Sequence, residues 1–188
     1  MSDLHIVLAQ EDDLERYIDL LEEIADWLEG RGVKQWRAGN FRLSRDYYRE
    51  SIKQREAHLA FVGDELVGTY RLLLRDPIVW PDVAEDDALY VHNLAVRRAW
   101  GGHRFGTQML ESVADRAACL GRSYVRLDCM ADSQVLRAYY VRAGFGERGE
   151  IEARFPAPVG TLDLARYEKP VWTRGLPNKR LHPSAARL

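Results

Sequence analysis

The chain has 188 residues, 46% of them apolar and 30% charged, with a net charge of −2. This is the profile of one folded domain with a sizeable core; it excludes a disordered chain, and the slight negative charge argues against a general nucleic-acid binder. No apolar run approaches the roughly 18–20 residues that span a bilayer. Met1-Ser2-Asp3-Leu4-His5 has no basic and apolar regions of a secretion signal. A cytoplasmic protein without a membrane partner is the expectation. Cys119 and Cys129 fall in no C-x-x-C or Cys/His spacing, so two buried reduced thiols and no metal are expected.

The first apolar run, from His5 to Ala9, predicts a strand. Gln10-Glu11-Asp12-Asp13 then places acids where a helix N-terminus favours them. Leu14, Ile18, Leu21, Ala25 and Leu28 repeat at spacings of four and three, one apolar stripe on a helix closed by Gly30. A loop over 31–42 carries Trp36, and Ser44 can cap a second helix reaching about Lys53. Residues 57–62, Gly63-Asp64 and 65–74 read as a hairpin. An acidic loop over 76–87 precedes the strongest strand, 88–96. A helix with Phe105, Met109, Val113, Ala117 and Leu120 on its buried face follows, then a strand over 123–129 and a helix over 133–143 stopped by Gly144. Residues 145–152 and 161–169 make a final strand pair. The order β-α-α-β-β-β-α-β-α-β-β predicts an α/β (α+β) fold: a mixed, mostly antiparallel sheet of six to seven strands flanked by about four helices. One domain over 1–172 and a flexible, basic tail over 173–188 are expected.

The informative segment runs from Leu94-Ala95-Val96 through Gly101-Gly102-His103-Arg104-Phe105-Gly106-Thr107. A buried strand enters a glycine-bearing turn and then an amphipathic helix. Glycines allow the tight turn, and the unpaired N–H groups and partial positive charge of a helix start favour a phosphate. Thr107 can add a hydroxyl, and His103 and Arg104 cationic character. A plain turn is the bland alternative. No Gly-Lys-Ser/Thr follows, which excludes a Walker A loop. A Rossmann loop is a sharper rival, with Asp128 near the position of a ribose-binding acid, although His103 replaces the middle glycine and little chain remains for a doubly wound sheet.

This segment resembles the main acetyl-CoA motif of the Gcn5-related N-acetyltransferase family, an Arg/Gln-x-x-Gly-x-Gly/Ala turn between strand and helix. Gly101 stands in place of the usual Arg or Gln and Arg104 in place of the middle glycine; Gly106 is retained. Ser133-Gln134-Val135-Leu136-Arg137-Ala138-Tyr139-Tyr140-Val141-Arg142-Ala143-Gly144-Phe145 resembles the family's later helix, with Ser133 where Asn is common. The resemblance covers roughly residues 4–170. It implies an N-acetyltransferase with acetyl-CoA as cosubstrate, no metal, and a primary amine of a small molecule or peptide as acceptor. It allows a homodimer through an edge strand.

The resemblance also implies that the strand containing Leu94 splays from the one containing Leu127 and receives the pantetheine arm. Leu94, Ala95 and Val96 then supply backbone groups, and a backbone N–H near Leu94 holds the developing oxyanion. The turn residues Gly101 to Thr107, with Ser133 and Tyr140, complete the cofactor contacts. Tyr140, rather than its neighbour Tyr139, matches the family's general acid. A lysine-like amine with a pKa near about 10.4 must lose its proton before attack, so a base is expected. Glu85, Asp86, Asp87 and His92 are the candidates, and His92 is open to a second reading as a packed histidine on the parity of Tyr90 and Leu94. Trp27, Trp36, Tyr47 and Tyr48 either line the acceptor pocket or belong to the core. No cysteine stands where a nucleophile would, so direct transfer is expected. A non-catalytic acyl-CoA-binding sensor or partner module is the second reading, and a nucleotide-dependent oxidoreductase the third.

Overall fold

Strand alternation decides which layer each side chain joins. A computed structural model describes residues 3–83 and 87–171 of the chain. Its elements are β1 (Leu4–Leu8), α1 (Leu14–Glu29), α2 (Asn40–Leu43), α3 (Arg45–Lys53), β2 (Ala57–Val62), β3 (Glu65–Leu73), β4 (Ala88–Val96), α4 (Phe105–Cys119), β5 (Tyr124–Met130), α5 (Gln134–Arg142), β6 (Gly146–Arg154) and β7 (Thr161–Pro170). Leu59 of β2 and Leu66 of β3 bury against α1 and α3, whereas their neighbours Ala60 and Val67 bury against α4. This is the period-two pattern of a sheet covered on both faces. The loop after β3 covers the rest of the first face, where Val79 and Trp80 pack on Tyr90 and Leu164.

The sheet has seven strands in the order β1-β2-β3-β4-β5-β7-β6. Every neighbouring pair is antiparallel except β4–β5. The mixed, mostly antiparallel architecture agrees with the sequence reading. It removes the oxidoreductase alternative, which needs a doubly wound parallel sheet. Two details differ from expectation, and some expected residues are not described. The segment over 31–42 is not all loop, because residues 40–43 form α2. Cys119 is exposed, while Cys129 is buried. Glu85, Asp86 and the segment 173–188 lie outside the described residues.

Two features of β4 open the sheet. Arg71 is paired with His92 and Thr69 with Ala95, so Asn93 and Leu94 together oppose Tyr70. This is a bulge, with Asn93 at φ 50. It breaks the simple parity expected of Tyr90, His92 and Leu94. On the other side, β4 pairs with β5 only from Ala88↔Tyr124 to Val91↔Leu127. Beyond that point β4 continues to Val96, while β5 continues to Met130 along β7 alone.

Candidate active site

The splay between β4 and β5 opens into a cleft of about 1500 Å³. That exceeds the roughly 300–1,000 Å³ of a single-ligand pocket and suits two substrates side by side. Leu94, Ala95 and Val96 line it from β4. Neither Asn93 nor Leu94 has a register partner on β5, so on that side their backbone groups face the cleft rather than a strand, available to a ligand.

At the end of β4 the chain turns into α4. The first helical bond there is Gln108 N–H to Arg104 O, at 3.0 Å. The N–H groups of Phe105, Gly106 and Thr107 therefore precede the ladder, as an anion site requires. Arg104 caps the helix at φ 62, ψ 17, a left-handed conformation that costs a non-glycine residue roughly 1–2 kcal/mol. It thus takes the geometry of the glycine it replaces. Gly106 is needed for space: a Cβ there would sit 2.6 Å from the Tyr139 hydroxyl. Gly101, Gly102, Arg104, Phe105, Gly106 and Thr107 all line the cleft.

Across the floor, three ionisable side chains converge. His92 Nε2 lies 3.0 Å from Asp76 Oδ2, and His92 Nδ1 lies 3.8 Å from Asp128 Oδ1. The other oxygen of Asp76 accepts from Val79 N–H at 3.1 Å. Burial alone would raise the Asp76 carboxyl, but the hydrogen bond and charge of His92 and the N–H groups of Val79 and Ile78 hold it below the ordinary value. An ionised Asp76 makes Nε2 the donor and leaves the Nδ1 lone pair toward Asp128. Asp128 has no such partner. Burial pushes its carboxyl up to about 6, with His92 opposing and Asp76 reinforcing the rise.

Tyr140 is 7% exposed, packs on Phe145 and Tyr167, and still lines the cleft. Burial, then the neighbouring Cys129 and Asp128, raise its phenol well above the ordinary range, so it stays protonated. Tyr139 lines the cleft too, with its hydroxyl toward Gly106 at the start of α4.

The remaining wall comes from α1, α2, α3 and the loop 31–39. Trp27, Trp36, Tyr47 and Tyr48 all line the cleft. The loop is held at its C-terminal end and its middle: Glu22 accepts from the N–H groups of Gly39 and Arg42 at 2.7 and 2.8 Å, and Gln35 Oε1 accepts from Met130 N–H at 2.9 Å. Arg71 donates to the Tyr47 hydroxyl and lies 3.5 Å from Glu56.

Other expected residues fall elsewhere. His103 stacks on Phe105 outside the cleft, and Ser133 begins α5 without lining it. Asp87 pairs with Arg126 at 3.6 Å and is likewise not in the cleft. Asp76, Asp128 and Gln35 were not singled out for these roles in the sequence. Asp76 stood among the loop acids and Asp128 as a ribose-binding acid, and neither carries a local signal of its contact with His92.

With this geometry in place, the comparisons define the class. The chain belongs to the acetyltransferase (GNAT) family, which matches residues 20–145. The family makes it an N-acetyltransferase. The uncharacterized N-acetyltransferase YesJ of Bacillus subtilis (strain 168) is 29% identical over 140 residues, covering 71% of this chain and 77% of that protein. A GNAT-family acetyltransferase from Listeria monocytogenes 4b F2365 shares the fold with a TM-score of 0.72 at 24% identity, over 89% of this chain and 94% of the other. The putative acetyltransferase yncA of Salmonella typhimurium, solved with its cofactor acetyl-CoA, has a TM-score of 0.64 at 13% identity, over 95% of this chain and 100% of the other.

Proposed function

We propose that the chain moves the acetyl group of acetyl-CoA directly onto a primary amine of a small molecule or peptide, in the cytoplasm and without a metal. The observation that carries this reading is the end of β4–β5 pairing at Val91↔Leu127, with backbone groups of β4 on one wall and Tyr140 on the other. Acetyl-CoA lays its pantetheine arm along Leu94, Ala95 and Val96, and its pyrophosphate on the N–H groups at the start of α4. A backbone N–H at Leu94 holds the thioester oxygen as it becomes an oxyanion. His92 takes a proton from the amine through Nδ1, and Asp76 fixes its tautomer. Tyr140 donates to the departing thiolate. The amine attacks from the side walled by Trp27, Trp36 and Tyr47. Two free cysteines, and no described helix long and apolar enough to cross a membrane, support the compartment.

The test is calorimetric titration with acetyl-CoA, repeated with NADH. Saturable binding of acetyl-CoA alone is expected. Binding of NADH with none of acetyl-CoA contradicts the reading.

A further inference from the structure

A primary amine that arrives as an ammonium must lose two protons in becoming an amide. One leaves before attack, and one leaves the nitrogen after the C–N bond forms. The thiolate released when the C–S bond breaks recovers one, and the other goes to solvent. Two acceptors facing one point would serve this stoichiometry, and the cleft has them. Asp76 occupies His92 Nε2 at 3.0 Å, which turns the Nδ1 lone pair toward Asp128. The Nδ1 to Oδ1 separation of 3.8 Å is too long for a direct hydrogen bond. A donor placed beside both atoms can reach each of them. The Asp128 side chain is 13% exposed, and among the described residues its ion-pair partner is His92.

We propose that Asp128 is a further catalytic residue: its carboxylate and His92 Nδ1 together dock the acceptor as an ammonium, selecting strongly basic alkylamines over neutral arylamines. This rests on the acetyl-transfer reading above. An ammonium bound here donates one N–H to each acceptor, offsetting the burial of the carboxylate. His92 takes the first proton; the neutral nitrogen attacks, and Asp128 takes the second. A metal ion fits the three side chains less well. All three offer ligand atoms within 4.8 Å of one another, but Asp76 already spends one oxygen on His92 and the other on Val79 N–H.

The groups facing Asp128 are His92 from β4, Asp76 from the loop after β3, Tyr140 from α5 and its own neighbour Cys129. Tyr140 stays protonated, as does Cys129, whose thiol burial raises. The acid limb of the pH profile therefore reports Asp128.

The experiment measures CoA release with acetyl-CoA and a panel of paired amines of similar shape, benzylamine against aniline among them. Wild type, Asp128→Asn and His92→Gln are compared, each first titrated with acetyl-CoA. Alkylamines are expected to be the substrates. Asp128→Asn should lose about 100-fold in kcat/KM on them while binding acetyl-CoA as wild type does, and should lose the wild-type inflection near about pH 6. Preferential use of arylamines, or an Asp128→Asn rate within a few-fold of wild type, overturns the ammonium site and leaves acetyl transfer standing. A rate abolished by EDTA and restored by zinc assigns the cluster to a metal and also overturns it. Acetyl-CoA binding without transfer to any amine overturns the function and the ammonium site with it.

Discussion

Met130 N–H donates to Gln35 Oε1 at 2.9 Å across ninety-five residues of sequence. Met130 lies on β5 beyond the last pair with β4, so its N–H has lost the strand that would have accepted it. Gln35 takes that role and ties the loop 31–39 over the cleft. The consequence of opening a sheet is thereby met by the segment that walls the acceptor side.

Gln35→Ala should therefore leave the Met130 N–H unpaired, which costs about 1–3 kcal/mol where water does not replace the partner. The KM for the amine should rise, while the acetyl-CoA dissociation constant stays unchanged. Steady-state kinetics with calorimetry separate the two; weakened acetyl-CoA binding with an unchanged amine KM would contradict the assignment of the loop.

Gly106→Ala places a Cβ 2.6 Å from the Tyr139 hydroxyl, at the turn where the phosphates are expected to sit. Acetyl-CoA affinity should fall at least about tenfold, a loss of about 1.4 kcal/mol. Tyr139→Phe in the same chain should restore part of it by removing the atom that is struck. Titration of the single and double variants reads this directly.

Tyr140→Phe keeps the ring between Phe145 and Tyr167 and removes only the hydroxyl. The turnover number is expected to fall by about 100-fold, with acetyl-CoA affinity and melting temperature close to wild type. A matching loss in Tyr139→Phe instead would move the acid to the other tyrosine.

Asp128 makes a prediction about stability. Burial pushes its folded carboxyl up to about 6, from the 3.8 of the free group. Between those values the folded state binds the proton more tightly, so this residue's contribution to stability falls as pH rises through that window. Its full penalty is present above about pH 6 and absent below about pH 4. Asp128→Asn should stabilise the protein by about 1–3 kcal/mol at neutral pH, raising Tm by about 2–4 °C per kcal/mol, and change little in acid. Thermal melts at several pH values check the sign.

Much of this was legible in the sequence because it is local. The stripe of Leu14, Ile18, Leu21 and Ala25 gave α1, and Gly63-Asp64 gave the β2–β3 hairpin. The resemblance located the α4 turn and the tyrosine of α5. What could not be read depends on tertiary context. The bulge at Asn93 follows from a left-handed residue that propensity does not favour in a strand. The contact of Asp76 with His92 spans a loop, and that of Asp128 crosses from β5 to β4 just where their pairing stops. Gln35 meets its partner only because the sheet opens. His103 and Ser133 follow a motif position without reaching the cleft, since turn geometry rather than residue order decides which side chain faces inward.

The most direct test of the account is simultaneous measurement of free CoA thiol and N-acetyl product by mass spectrometry, over a panel of primary amines. The account predicts one thiol per acetamide for wild type and near-complete loss of both in Tyr140→Phe. Saturable acetyl-CoA binding with no thiol release for any amine would contradict it, and would make the cleft a binding site for acyl-CoA without chemistry.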